Sequence, residues 1–416
     1  MLPPVLEIYI VWHPGDEEGL KIAQEFVEHF HGTIFSGLIG GAIEVYARSL
    51  GWRSVDDAPR PVPFAAGTLP GGIRHAQFVT VVPILGNELA AAVQQGQNAW
   101  REYVQGLVTA QTAEPNRIGV FPYLLDHGAI NGTILGEALS TFQRIAATPP
   151  AAGGETDRSL RCRDLTQGIA QFLSETDDKR LTIFISHTKR NSPAEEENVE
   201  ALIAVVREVI ANTRLQEFFD EKDLQPGWDW DAELRSKAAT SALLAIRTDL
   251  YPSREWCQRE MLIAKREGVP LIIMDALGEG EERGSFLMDH VPRVPARIIN
   301  QQWRKTDIYR GLNLLVDECL KRALWRRQEE LARAELGLNI AWWAPHAPEP
   351  ITLAKWLADE KRGGKLTPDG KDLLVLHPDP PLGTEEKSIL QEMMSLGGIN
   401  RKLDVMTPRL LAARGG

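Results

Sequence analysis

Short apolar runs constrain this chain more than any other feature. Residues 6–12 (LEIYIVW), 78–84 (FVTVVPI), 181–186 (LTIFIS), 242–247 (ALLAIR) and 270–275 (PLIIMD) are apolar at successive rather than alternate positions. A strand of that kind must be covered on both faces, as in a parallel sheet. Most of these runs lead into helical spacing. Over 17–30, for instance, Leu20, Ile22, Ala23, Phe26, Val27 and Phe30 recur on one face. Strand-then-helix, repeated, predicts an α/β fold with helices packed on parallel sheets.

Composition punctuates that pattern. The stretch 146–157 (AATPPAAGGETD) is small, Pro- and Gly-rich, and reads as a boundary. The expected division is an α/β domain at 1–150, a linker and connecting helix at 151–178, a second α/β domain at 179–303, and a helical and β-α-β region at 304–416. In the first block a helix is expected over 89–107. In the second, the order predicted is strand 181–186, helix 194–211, strand 215–219, helix 229–240, strand 242–247, helix 255–266 and strand 270–275, a flavodoxin-like series. In the last, a long amphipathic helix is expected from 308 toward 336, then strand 373–376, helix 384–394 and strand 403–406. The sheet that this β-α-β unit joins is left open.

Charge and cysteine usage narrow the function classes. The 46 basic residues stand against 57 acidic ones, a net charge of −11. That disfavours a broad polyanion-binding surface, which needs a positive field. A local basic patch at Lys321-Arg322 and Arg326-Arg327 reads first as a salt-bridged helix surface, with partner or nucleic-acid contact left open. The 3 cysteines cannot build a disulfide framework, which fits a reducing, cytoplasmic compartment. No signal peptide or membrane-spanning run is visible.

The strongest local signal is Asp249–Glu260, DLYPSREWCQRE, placed after a buried strand and at the start of a helix. With Phe184-Ile185-Ser186-His187, Phe219-Asp220, Leu224 to Gly227 and Leu243–Ile246, in that order, it resembles the Toll/interleukin-1 receptor (TIR) domain, bacterial type, over residues 179–303. The resemblance implies a flavodoxin-like parallel sheet. It implies that Glu260, four positions after Trp256, is the catalytic glutamate of an NAD⁺ glycohydrolase. It also implies self-assembly through TIR–TIR contacts, with Leu224, Pro226, Gly227 and Trp228 in the assembly loop. NAD⁺ is then the substrate, and no cofactor or metal is expected. An activator protein or ligand and an antiphage, immune role follow by the same resemblance.

The chemistry can be weighed without the family. The nicotinamide–ribose bond carries a cationic leaving group, so strong acid catalysis is unnecessary. Its transition state is oxocarbenium-like, and a carboxylate can stabilise that charge. Glu260 sits where the helix follows a parallel strand, a usual place for ligands. Trp256 lies one helical turn before it and can wall a pocket; the bland reading makes Trp256 core and Glu260 an ordinary surface glutamate. Ser186, His187, Asp220, Ser253 and Trp256 are the candidate substrate-binding residues. Ser253 also reads as a helix cap. Cys257 lacks an activating histidine nearby in sequence and reads as buried structure.

The first block parallels the second in strand and helix order but lacks the Trp-Cys pair. It reads as a degenerate TIR-like or generic flavodoxin-like domain without catalysis, since Glu88 falls too early to match Glu260. Its glycines fit neither a phosphate-binding loop nor a dinucleotide fingerprint. The histidines, His13, His29 and His31 among them, lack metal-ligand spacing. Trp342-Trp343 reads as a docking loop or a buried staple. Two other functions stay open beside the glycohydrolase: a non-enzymatic assembly or adaptor module, and nucleoside deoxyribosyl transfer on a similar fold.

Overall fold

The computed structural model describes residues 3–36, 43–51, 57–64, 74–95, 99–146, 155–174, 181–188, 193–211, 216–218, 241–281, 284–335, 339–367 and 370–414. The fold is α/β with parallel sheets. The chain forms two compact units: 1–173 with 326–336, and 174–325 with 337–416.

The first unit runs β1 (Leu6–Val11), α1 (Glu17–Phe30), α2 (Thr33–Ser36), β2 (Ile43–Arg48), β3 (Phe78–Leu85), α3 (Asn87–Gln94), α4 (Ala99–Ala113), β4 (Ile118–Val120), β5 (Tyr123–Leu124), α5 (Ile134–Ala138), β6 (Ile145–Ala146) and α6 (Glu155–Leu173). Its sheet is parallel in the order β2-β1-β3-β5-β6, with β4 also on β3. With β4 and β5 taken as one interrupted strand, this is the doubly wound order 2-1-3-4-5. β1 and β3 are buried along their whole length, as their continuous apolar runs require.

Two expectations for this unit are corrected. The helix expected over 89–107 is two helices: α3 ends at Gln94 and α4 begins at Ala99. The helix expected as a connector is instead α6, part of the unit itself. Its Leu160, Leu165, Ile169 and Leu173 are buried, and Arg161 makes a two-pronged pair with Glu25 of α1. The strand β2 was hidden in sequence, because it follows a Gly-rich stretch and is only partly buried.

The second unit runs β7 (Thr182–Ser186), α7 (Pro193–Ala211), β8 (Gln216–Phe218), β9 (Ser241–Arg247), α8 (Glu255–Glu267), β10 (Leu271–Asp275), β11 (Arg293–Pro295), the hairpin β12–β13 (Ile298–Ile299, Gln302–Trp303) and α9 (Lys305–Glu335), whose residues from 326 on belong to the first unit. It continues with β14 (Ile340–Trp343), α10 (Pro350–Arg362), β15 (Leu373–Leu376), α11 (Thr384–Leu396), β16 (Leu403–Met406) and α12 (Pro408–Ala413). Its main sheet is parallel in the order β8-β7-β9-β10-β11, again 2-1-3-4-5. The helix expected over 229–240 lies outside the described residues.

The C-terminal β-α-β unit joins neither large sheet. It forms its own three-stranded parallel sheet, β14-β15-β16. Trp342 and Trp343 are its first strand and act as staples. The Trp343 ring stacks on Trp325 at 4.4 Å, and Trp342 on Trp356 at 5.3 Å. Trp325 donates its indole N–H to the Ala344 carbonyl at 2.8 Å, and Trp343 donates to the Trp325 carbonyl at 3.0 Å. Both buried indoles are thereby satisfied. The basic patch on α9 is ion-paired in part: Lys321 with Glu318 and Arg327 with Glu330.

Candidate active site

Alternation along β7 aims one side chain at α8. Phe184 packs into the core cluster that includes Cys257, Met261 and Ala264. Ser186, two residues on, therefore points to the same face. On α8 the inward residues Cys257, Glu260, Met261 and Ala264 recur at three- and four-residue spacing. Left-handed Gly268 ends that helix. Glu260 is thus carried inward at the carboxyl end of the sheet and is only 5% exposed.

Three side chains meet there. The Ser186 hydroxyl donates to the Glu260 carboxylate. The same oxygen lies 2.5 Å from the Tyr251 hydroxyl. A serine has one proton to give. With that proton on Glu260, Tyr251 must be the donor to Ser186. The result is a directed chain, Tyr251 to Ser186 to Glu260, which fixes the carboxylate. Burial pushes the Tyr251 phenol well above its usual range; the neighbouring Cys257 and Glu260 add to this, and the hydrogen bond with Ser186 works the other way. Tyr251 stays protonated and available as a donor.

The other predicted residues are placed as follows. Trp256 is 42% exposed, with the Arg259 guanidinium 5.6 Å from its ring centre, so it is not core. The His187 carbonyl accepts from the Cys257 thiol at 3.6 Å, and its ring nitrogen Nδ1 lies 3.0 Å from the Thr188 carbonyl. Cys257 is buried. Ser253 does not cap α8: its hydroxyl donates to the Leu250 carbonyl at 2.7 Å, and Arg254 holds the cap position. The short turn Tyr251–Ser253 comes between strand and helix and takes up that serine. Asp220, Leu224, Pro226, Gly227 and Trp228 lie outside the described residues.

Tyr251 was missed as a site residue. Its position directly after the central strand was the available signal, but nothing in the sequence shows that its hydroxyl reaches Ser186. A cleft of about 560 Å³ also opens at the carboxyl ends of β9 and β10, and Glu260 is not among the residues that line it. Among the described residues no group of His, Cys, Asp or Glu is arranged to hold a metal.

Among its described residues the first unit lacks this arrangement. Glu88 is exposed in the first turn of α3. The carboxylate at the equivalent edge, Asp16, instead accepts the backbone N–H groups of Glu88 and Leu89 at 3.2 and 3.3 Å. It caps α3 from across the loop. Gly86 is needed beneath it, since a Cβ there would meet the Asp16 carboxylate at 2.4 Å.

No family model and no curated protein matches this chain. Among solved structures, it is similar to tagatose-6-phosphate ketose/aldose isomerase from Escherichia coli. The match has 12% identity and a TM-score of 0.18, over 79% of this chain and 83% of that one. A superposition that loose carries no argument about fold or activity.

Proposed function

We propose that the chain is an NAD⁺ glycohydrolase, with Glu260 as its catalytic carboxylate. The observation that carries this reading is the buried Tyr251–Ser186–Glu260 chain at the carboxyl edge of a parallel sheet. It supports a carboxylate held in one orientation, as charge stabilisation of a developing cation requires.

The proposed step balances simply. The bond from ribose C1′ to the nicotinamide nitrogen breaks, and nicotinamide leaves neutral with the electron pair. Glu260 stabilises the positive charge left on the ribose. Water adds at C1′ and gives up a proton, yielding ADP-ribose. Attack by a nitrogen of the adenine instead gives a cyclic product. Ser186 and Tyr251 hold the carboxylate, and by the TIR resemblance Trp256 walls the ring. By the TIR resemblance the enzyme is a cytoplasmic immune effector that works when assembled, with an activator protein or ligand as a further partner. Among the described residues no helix is long and apolar enough to cross a membrane. The three cysteines are buried thiols.

The test is nicotinamide release from NAD⁺ by the full chain, assayed across protein concentrations beside Glu260→Gln. The proposal expects the variant to lose at least about a hundredfold in rate. Equal rates would refute it.

A further inference from the structure

We propose that the cleft at the carboxyl ends of β9 and β10 is a nucleoside site, taking a flat base with its ribose diol and keeping phosphate outside. Its volume of about 560 Å³ falls within the range of small-molecule sites. It opens where parallel α/β sheets hold ligands. Its walls include Leu277, Ile298 and Trp303. Leu277 is 42% and Ile298 50% exposed, so apolar surface is open to a ligand in the cleft. The Trp303 N–H is already given to the Asn198 carbonyl at 3.1 Å. What the indole offers a ligand is therefore its π surface, which suits a planar base.

The polar part of the lining selects the rest of the ligand. Asp249 and Glu279 line the cleft, and among its described residues there is no lysine or arginine. Asp249 accepts the backbone N–H of Gly278 on one oxygen at 3.0 Å and that of Glu279 on the other at 2.8 Å. The carboxylate is thereby oriented while lone pairs remain. A carboxylate so held accepts a vicinal diol, as acidic residues do with ribose hydroxyls. Two carboxylates, with no cation among the cleft's described residues, repel phosphate. Thr248 also lines the cleft, and its hydroxyl lies 3.1 Å from that of Thr188, two residues beyond Ser186. The cleft is a neighbour of the Glu260 cluster without sharing its carboxylate.

A free nucleoside fits this chemistry; the adenosine half of NAD⁺ shares its base and diol but carries a 5′-phosphate, which the carboxylates disfavour. The test is calorimetric titration of the full chain with adenosine, 2′,3′-dideoxyadenosine and AMP, repeated on Leu277→Asp and Glu279→Gln. Both positions are exposed, where substitutions usually change stability little. Adenosine should bind, with the dideoxy compound and AMP at least about tenfold weaker. Leu277→Asp should weaken adenosine by a similar factor, and Glu279→Gln should narrow the gap between adenosine and AMP. No adenosine binding, AMP binding as tightly as adenosine, or equal adenosine binding by Leu277→Asp would overturn the site. The KM for NAD⁺ checks this: an unchanged KM in Leu277→Asp keeps the cleft a free-nucleoside site, and a rise places the dinucleotide there and overturns the exclusion of phosphate. A chain that binds adenosine through Leu277 yet releases no nicotinamide keeps the cleft and loses the glycohydrolase.

Discussion

Ser186 has one hydroxyl proton, and that limit orders the side chains around Glu260. Removing Ser186 takes one hydrogen bond from a buried carboxylate and one from a buried phenol. Ser186→Ala should cost about 1–3 kcal/mol in a denaturant titration and lower turnover more than it changes KM. Tyr251→Phe keeps the Ser186–Glu260 bond and should be milder in both. A second consequence concerns alkaline pH. Folding raises the Tyr251 pKa, so the folded state keeps a proton that the unfolded chain releases near pH 10, about the ordinary tyrosine value. The stability this contributes is full below that pH and is lost as pH rises toward the folded value. Tyr251→Phe should therefore flatten the alkaline fall of melting temperature in part, because burial also raises Tyr9, Tyr103 and Tyr123. An unchanged profile would contradict the buried donor. The sequence singled out Glu260 through the TIR resemblance, and the structure buries it beside Ser186. Tyr251 was not legible, because a three-residue turn decides where its hydroxyl goes.

Elements with a strong period were legible, and those whose partners lie far away were not. The strands Leu373–Leu376 and Leu403–Met406 fall where the apolar runs put them. The strand Ile340–Trp343 did not read as one, because its tryptophans are buried by Trp325 and Trp356 rather than by a local pattern. The helix Pro350–Arg362 was missed as well. Its start is set by Glu349, whose backbone N–H is accepted by the Thr352 hydroxyl at 2.9 Å. The Glu349 carboxylate reaches Lys265 of α8 at 2.8 and 3.0 Å, and that lysine also donates to the Asp289 carbonyl at 2.7 Å. Lys265 is buried. Lys265→Ala leaves Glu349 without its counter-charge and should cost about 3–5 kcal/mol. Lys265→Met together with Glu349→Gln should recover much of that loss. Thermal unfolding of the single and double variants checks this, and additive losses would argue against the pair.

At the scale of the molecule, each unit contains a parallel sheet wound in the same order. That architecture was legible because buried parallel strands write themselves as continuous apolar runs. The units differ at the carboxyl edge. One buries a glutamate under a serine and a tyrosine; the other spends its buried aspartate on capping a helix. Catalysis is therefore proposed for the second unit alone, and Glu88→Gln should leave turnover unchanged. If assembly completes the site, nicotinamide release per mole of protein should climb with protein concentration, and a flat dependence would remove assembly from the proposal. The most direct measurement is nicotinamide release from NAD⁺ by the wild-type chain and by Glu260→Gln at matched concentration. Release by the wild type that falls at least about a hundredfold in the variant is the predicted result. No release from an assembled wild-type chain, or equal release by both, would contradict it.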